Sequence, residues 1–136
     1  MPIDRAFFPA WTPRAQGLLR VVAAYLFIQH GTAKLLGFPH IPDMGSVQLM
    51  SLIGAAGLIE VIGGALLLIG LFSRAAAFVL SGEMAFAYFI AHAAQGNVLT
   101  PLLNHGESAA LYCFIFLFFA AAGPGAWSVD ATRGAA

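Results

Sequence analysis

Four long apolar stretches, separated by short breaks rich in Gly, Pro and polar residues, set the pattern of this chain. The first covers about residues 17–37 and is interrupted by Arg20, His30 and Lys34. The second, about 48–72, carries one charge, Glu60. The third, about 75–95, holds Glu83 and His92, and the fourth, about 106–122, has Glu107 in its first turn. Each falls near the roughly 17–25 residues with which a helix crosses a bilayer. They are longer than the roughly 9–11-residue strands of a membrane barrel and lack the alternation such strands show. The breaks fit helix ends. Two prolines in Phe38-Pro39-His40-Ile41-Pro42-Asp43 forbid continuation of the first helix. Ser73-Arg74 is so short a link that the second and third spans must be antiparallel neighbours. Gly96-Asn97 and Pro101 precede the fourth span, and Gly123-Pro124-Gly125 ends it. The pattern predicts an all-α fold: an integral membrane four-helix bundle forming one domain over residues 1–136.

Composition supports lipid as the solvent. Of 136 residues, 60% are hydrophobic and 9% charged, against about 25% charged in an average soluble domain. Six basic and six acidic groups cancel, which points away from nucleic acid. Apolar content this high opposes disorder. A disulfide scaffold is excluded because Cys113 is the single cysteine. Arg5, Arg14, Arg20, Arg74 and Arg133 fall on the side that holds both termini, while the other side has only Lys34. The positive-inside rule then predicts an inner-membrane protein with both termini cytoplasmic. The first span is read as retained rather than as a signal peptide: it is long, contains His30 and Lys34, and lacks a clear small-x-small cleavage site after it.

The ionisable groups inside the spans are the candidate chemistry, because each costs roughly 2.5–3.5 kcal/mol to insert and needs a partner, a cavity or a proton. Glu60 and Glu83 are predicted near mid-membrane. His30, Lys34, His92, Asn104, His105 and Glu107 are predicted as a polar cluster toward the outer side. His30 and Lys34 share a helix face, as do Tyr88 and His92. Glu83 and His92 are about half a turn out of phase, so either the third helix kinks or the two face different neighbours. Gly54, Gly57, Gly63 and Gly64 surround Glu60, predicting a close helix crossing with Glu60 protonated or paired with Lys34 or a histidine. A purely structural role is the competing reading, since polar groups can hydrogen-bond helices together for about 0.6–2 kcal/mol each. Lys34 could also snorkel to the interface. Arg20, Arg74 and Arg133 read as topology anchors, and Trp11, Phe72 and Trp127 as interfacial residues.

Several chemistries lack their signatures. There is no phosphate-binding glycine loop, no dinucleotide fingerprint and no HExxH zinc helix. A Cys-x-x-Cys pair is absent, so dithiol exchange within the chain is excluded. His30 and His92 on separate helices are two histidines without a supporting haem or metal motif, so haem is disfavoured and no metal site is expected.

Taken in order, the motifs resemble those of the DoxX family of small four-helix membrane proteins. They are Leu19-Arg20 with His30-Gly31-x-x-Lys34 and Gly37; Gly57-x-x-Glu60-x-x-Gly63-Gly64 with Gly70; Glu83-x-x-x-Ala87-Tyr88 with His92; and Asn104-x-Gly106-Glu107-x-Ala109 with Tyr112, closing on Gly123-Pro124-Gly125-Ala126-Trp127-Ser128-Val129-Asp130. The resemblance spans about Leu18 to Ala131. It implies the fold and a place in the membrane. It also implies a link to quinone or thiol redox chemistry with a partner oxidoreductase, because the family takes its name from a subunit of a thiosulfate:quinone oxidoreductase. It supplies no catalytic set.

Three functions remain in competition. In a redox-linked subunit, His30, Lys34 or His92 would contact quinone carbonyls while Glu60 or Glu83 exchanged protons. In a non-enzymatic scaffold, the carboxylates would be structural, and Asp4, Arg5 and the segment from Asp130 to Arg133 would lie in docking ends. A small-solute or proton-coupled carrier would suit midplane carboxylates, and with four spans it would need a homo-oligomer.

Overall fold

The computed structural model describes residues 7–42, 44 and 47–136. Asp4 and Arg5, assigned above to the cytoplasmic end, and Asp43, in the first break, lie outside the described residues. Every regular element among the described residues is helical. Helix α1 spans Phe7–Leu36 and so begins ten residues before the predicted span. Arg14 and Gln16 mark a change of solvent there, not a helix end, and the helix continues through Pro13. Helix α2, Leu52–Ile69, is shorter than predicted at both ends. The Ser51 side chain caps its start by accepting from the Gly54 amide, and Gly70 stops it in the left-handed region at φ 73°, a conformation that glycine adopts at no steric cost.

Helix α3, Ser73–Ala87, runs on into a π turn at Tyr88–His92 and a 3₁₀ turn at Ala93–Gln95. The short α4, Pro101–Asn104, leads into α5, Glu107–Ala122, and α6, Val129–Thr132, follows the Gly-Pro-Gly break. Helix α1 packs along α2, α3 along α5, and α2 along α3. Ala24 and Phe27 of α1, Leu67 of α2, Ala77 and Leu80 of α3, and Phe116 and Phe119 of α5 form the buried core.

The α1–α2 crossing is tight because three glycines make it so. A β-carbon on Gly31 would stand 2.7 Å from the Val61 side chain and 2.8 Å from the Gly57 carbonyl. One on Gly64 would stand 2.6 Å from Ile28. Meanwhile Val22, Leu26, Ile53, Ile62, Phe78, Phe86, Phe114 and Phe118 face outward, and Arg20, Glu60, Asn104 and Asp130 face inward. Apolar surface outside and charge inside is the arrangement that a hydrocarbon solvent selects. Helix α2, with a mean hydropathy of 2.3, and the continuous run Ser73–Gln95, at 1.4, are long and apolar enough to cross a bilayer.

The end opposite the α1–α2 connection is closed by Arg20. Expected as a topology anchor, Arg20 is wholly buried, with 0% exposure. Its Nε donates to Pro124 O at 2.9 Å, Nη1 to Leu67 O and Leu68 O at 2.7 and 2.6 Å, and Nη2 to Ala126 O and Trp127 O at 3.2 and 2.8 Å. One guanidinium thus ties α1 to the last turn of α2 and to the segment after α5. Asp130, placed above in a docking end, is buried too. Its carboxylate accepts from the Phe72 amide at 3.0 Å and the Ser73 amide at 2.8 Å, capping α3. Burial pushes this carboxyl up, but the Ser73 and Phe72 hydrogen bonds and the Arg133 charge outweigh it and hold the group below the ordinary carboxylate value.

Candidate functional site

The predicted polar residues separate into three places. The first joins α1, α2 and α3. Lys34 lies in the last turn of α1 and its Nζ donates to Glu60 Oε1 at 2.5 Å. Glu60 is 1% exposed and Lys34 20%, so this is a largely desolvated ion pair. Because α2 starts at Leu52, Glu60 stands about 12 Å below its first residue at ~1.5 Å per residue, shallower than a start near Gln48 implies. That depth brings it within reach of the lysine. The glycine crossing matters here as well: a β-carbon on Gly57 would meet Lys34 Cβ and Leu35 at 3.1 Å, so the absent side chain lets α1 lie close enough for Lys34 to reach down.

Glu83 joins this pair across a cavity of about 530 Å³ between α2 and α3. Lys34, Glu60 and Glu83 form its polar floor, and residues such as Leu52, Ile53, Ile59, Phe86 and Ile90 form its walls. Glu60 Oε2 and both oxygens of Glu83 are buried without a hydrogen-bond partner. A buried carboxylate oxygen left unpaired is costly, and both residues that carry these oxygens line this cavity. A second apolar hollow of about 350 Å³ extends the α2–α3 trough toward Phe72. It shares Ile59 with the first and is walled by residues including Ile62, Leu66 and Val79.

The second place is a hydrogen-bonded cap. Tyr88 OH donates to Val98 O at 2.7 Å. Asn104 Nδ2 donates to Tyr88 OH and to Asn97 O, both at 3.1 Å, and Asn104 Oδ1 accepts from the Gly106 amide at 2.8 Å. His92 Nδ1 lies 3.1 Å from Asn104 O. The phase question resolves here. Glu83 faces α1 and α2 while His92 faces the α4 turn, and the π turn between them adds a residue to the ladder. Gly106 lets the Tyr88 ring close over it, since a β-carbon there would stand 2.6 Å from Cε2. Every side-chain polar atom of Asn104 is used, so this assembly orders the loop before α5.

The third place is aromatic. His30 packs against Tyr112 with ring centroids 6.0 Å apart and against Phe27 at 6.3 Å. His30 and His92 share no partner, and neither lines the Lys34–Glu60–Glu83 cavity. His105 and Glu107 are exposed. The single outer cluster expected from depth along the helices is therefore divided, because depth places residues at a level but not on a face. No group of three or more His, Cys, Asp or Glu among the described residues is arranged to hold a metal ion. The roles of Arg20 and Asp130 escaped the sequence reading. Arg20 carried a signal, in that it lies inside an apolar stretch, but the rule for charge placement absorbed it.

A small helical protein with an apolar exterior and a buried, charged cavity between its helices is a membrane protein. The chain matches the DoxX family over residues 15–93. It is 47% identical over 122 residues to an uncharacterized protein of Haemophilus influenzae (strain ATCC 51907 / DSM 11121 / KW20 / Rd), covering 88% of this chain and 91% of that protein. No solved structure matches. The chain belongs to the DoxX family, and the matched region includes Lys34, Glu60 and Glu83.

Proposed function

We propose that this protein is a multi-pass inner-membrane subunit, crossing four times through α1, α2, α3 and α5 with both termini cytoplasmic, and that it binds a quinone for a partner oxidoreductase. The observation that carries this reading is the α2–α3 cavity, an apolar trough with an ion pair and an unpartnered carboxyl at one end. Such a shape suits an amphiphile with a polar ring and an isoprenoid tail. Lys34 spends one of its three N–H donors on Glu60 and has two left for a carbonyl oxygen of the ring. Glu83 exchanges a proton with the oxygen that changes between carbonyl and hydroxyl. Reduction of the quinone takes two electrons and two protons. With a single cysteine and no dithiol, the chain relies on the partner oxidoreductase for the electrons. Tyr88, His92 and Asn104 hold the loop that leads into α5, and His30 and Glu107 stand outside the quinone site.

A photoreactive quinone analogue in lipid nanodiscs tests this. Crosslinks are expected on α2 and α3 near Ile59 and Phe86, and they should be lost in Glu83→Gln with the helical content unchanged. Unsaturable labelling spread over all helices, or labelling indifferent to Glu83→Gln, would refute the reading.

A further inference from the structure

A second cavity adjoins the polar floor of the trough. A cavity of about 290 Å³ lies under the α1–α2 connection, lined by residues that include Leu36, Gly37, His40, Ile41 and Met44. Two residues, Lys34 and Met44, line both this cavity and the trough. Lys34 therefore stands in the wall between a groove that opens toward lipid and a space at the mouth of the bundle. At about 30 Å³ per water, that space has room for several.

We propose that Lys34 is a proton port, linking the buried carboxyls of Glu60 and Glu83 to water on the face that carries the α1–α2 connection. The proton donor at the groove is the headgroup of the preceding subsection, and only that part of the proposal rests on it. The geometry assigns the direction. Toward the opposite end the bundle is packed shut, with Phe27, Leu67 and Leu80 at 0% exposure and the Arg20 clasp beyond them. Toward the connection, α1 stops at Leu36, just past Lys34, and the Lys34 side chain is 20% exposed where that of Glu60 is 1%.

Among the described residues, the titratable groups facing Lys34 are Glu60 from α2, Glu83 from α3, His40 from the connection and His30 one turn back on α1. A lysine is suited to the task because its amine is a donor when charged and an acceptor when neutral. For release, the Lys34 ammonium passes one proton to water in the outer cavity. The neutral amine then takes the proton of the Glu83 carboxyl through a water between them in the trough, since the two are not in direct contact, and the Glu83 carboxylate accepts the next proton from a headgroup hydroxyl. Uptake runs the same steps backwards. No bond other than N–H and O–H changes, and the Glu60 carboxylate stays beside Lys34 throughout.

Lys34 is the single lysine of the chain, so the native protein serves for the test. Sealed vesicles of each orientation are treated with a membrane-impermeant sulfonated amine reagent, and modification of Lys34 is read by peptide mass, separately from the terminal amine. Modification is expected only with the α1–α2 connection facing the reagent, and faster by about tenfold in Glu60→Gln, where the amine is freed from its contact with the carboxylate. A cysteine version, Lys34→Cys in a Cys113→Ser background, should react with a charged thiol reagent from that same face, as should the exposed control Leu99→Cys, which stands 93% exposed. Modification from the opposite face, or only by lipid-soluble reagents, would overturn the port. Failure of a quinone analogue to slow a modification that otherwise behaves as expected would count against the headgroup reading alone.

Discussion

Replacing Arg20 should unclasp the closed end of the bundle, and the size of the effect follows from its partners. Arg20 donates to five carbonyls. That of Leu67 also accepts from the Gly70 amide at 3.2 Å, so it keeps a donor when the arginine is removed. Leu68 is in the last turn of α2, and Pro124, Ala126 and Trp127 lie in an irregular stretch, so these four have no ladder partner to fall back on. At the low end of the cost of an unpaired buried polar group, about 1 kcal/mol each, Arg20→Met should destabilise the protein by about 4 kcal/mol. Arg20→Lys keeps the charge, but with three donors for the four carbonyls that have no other partner it leaves at least one unserved, about 1 kcal/mol. Unfolding free energy in mixed micelles, followed by circular dichroism, would give the order wild type, Arg20→Lys, Arg20→Met. Limited proteolysis should release the segment after Gly123 more readily in both variants. If Arg20→Met unfolded within about 0.5 kcal/mol of wild type, the size expected of an exposed surface site, the residue would be an anchor at the interface and the clasp would be wrong.

Three further outcomes follow from the same structure. Lys34→Met strands the buried Glu60 carboxylate and should cost about 3 kcal/mol, whereas Lys34→Met with Glu60→Leu should recover most of it; a double variant as unstable as the two single effects summed would deny the pair. Gly31→Ala forces a β-carbon onto Val61 and the Gly57 carbonyl and should cost about 1–3 kcal/mol through overpacking. Gly82→Ala, with nothing within 4 Å of the added carbon, should unfold like wild type, and equal effects of the two would refute the tight α1–α2 crossing. Asp130→Ala removes the cap of α3. Because the folded carboxyl is held below its ordinary value, its contribution is full above the unfolded value near about 4 and is lost as pH falls through the folded value. The stability gap between wild type and Asp130→Ala should therefore shrink on acidification, and a gap that stayed constant below pH ~4 would show that the charge on the carboxylate does not hold the cap.

Much of the fold was legible in the residues because a bilayer leaves few alternatives. Apolar runs of helical length, divided by prolines and glycines, can only be helices, and Gly106 sits at a real boundary, whereas Ser51 and Gly70, read as lying inside the second span, are its two caps. The ends that were misjudged are those where polarity and helicity part company. Helix α1 continues to Phe7 past Arg14 because a charged side chain changes the solvent it prefers without breaking the backbone ladder. Of the candidate site, Glu60 and the glycines around it were legible, since a charge among small residues has to be met by a neighbouring helix. Lys34 could be named as one partner among several. Its selection over His30 and His92 was not legible.

By itself, the sequence determined the solvent, the helices and the short inventory of groups whose burial in lipid demands a reason. Composition and the 3.6-residue period act locally and need no knowledge of neighbours. The tertiary structure alone decided which of those groups meet. It joined Lys34 to Glu60, left the oxygens of Glu83 and one of Glu60 buried without a partner, set His92 on the Asn104 turn and closed Arg20 over five carbonyls. Contact across helices depends on rotation about each axis and on how near two backbones can come, and those are fixed by packing at Gly31, Gly57 and Gly64 rather than by position along the chain.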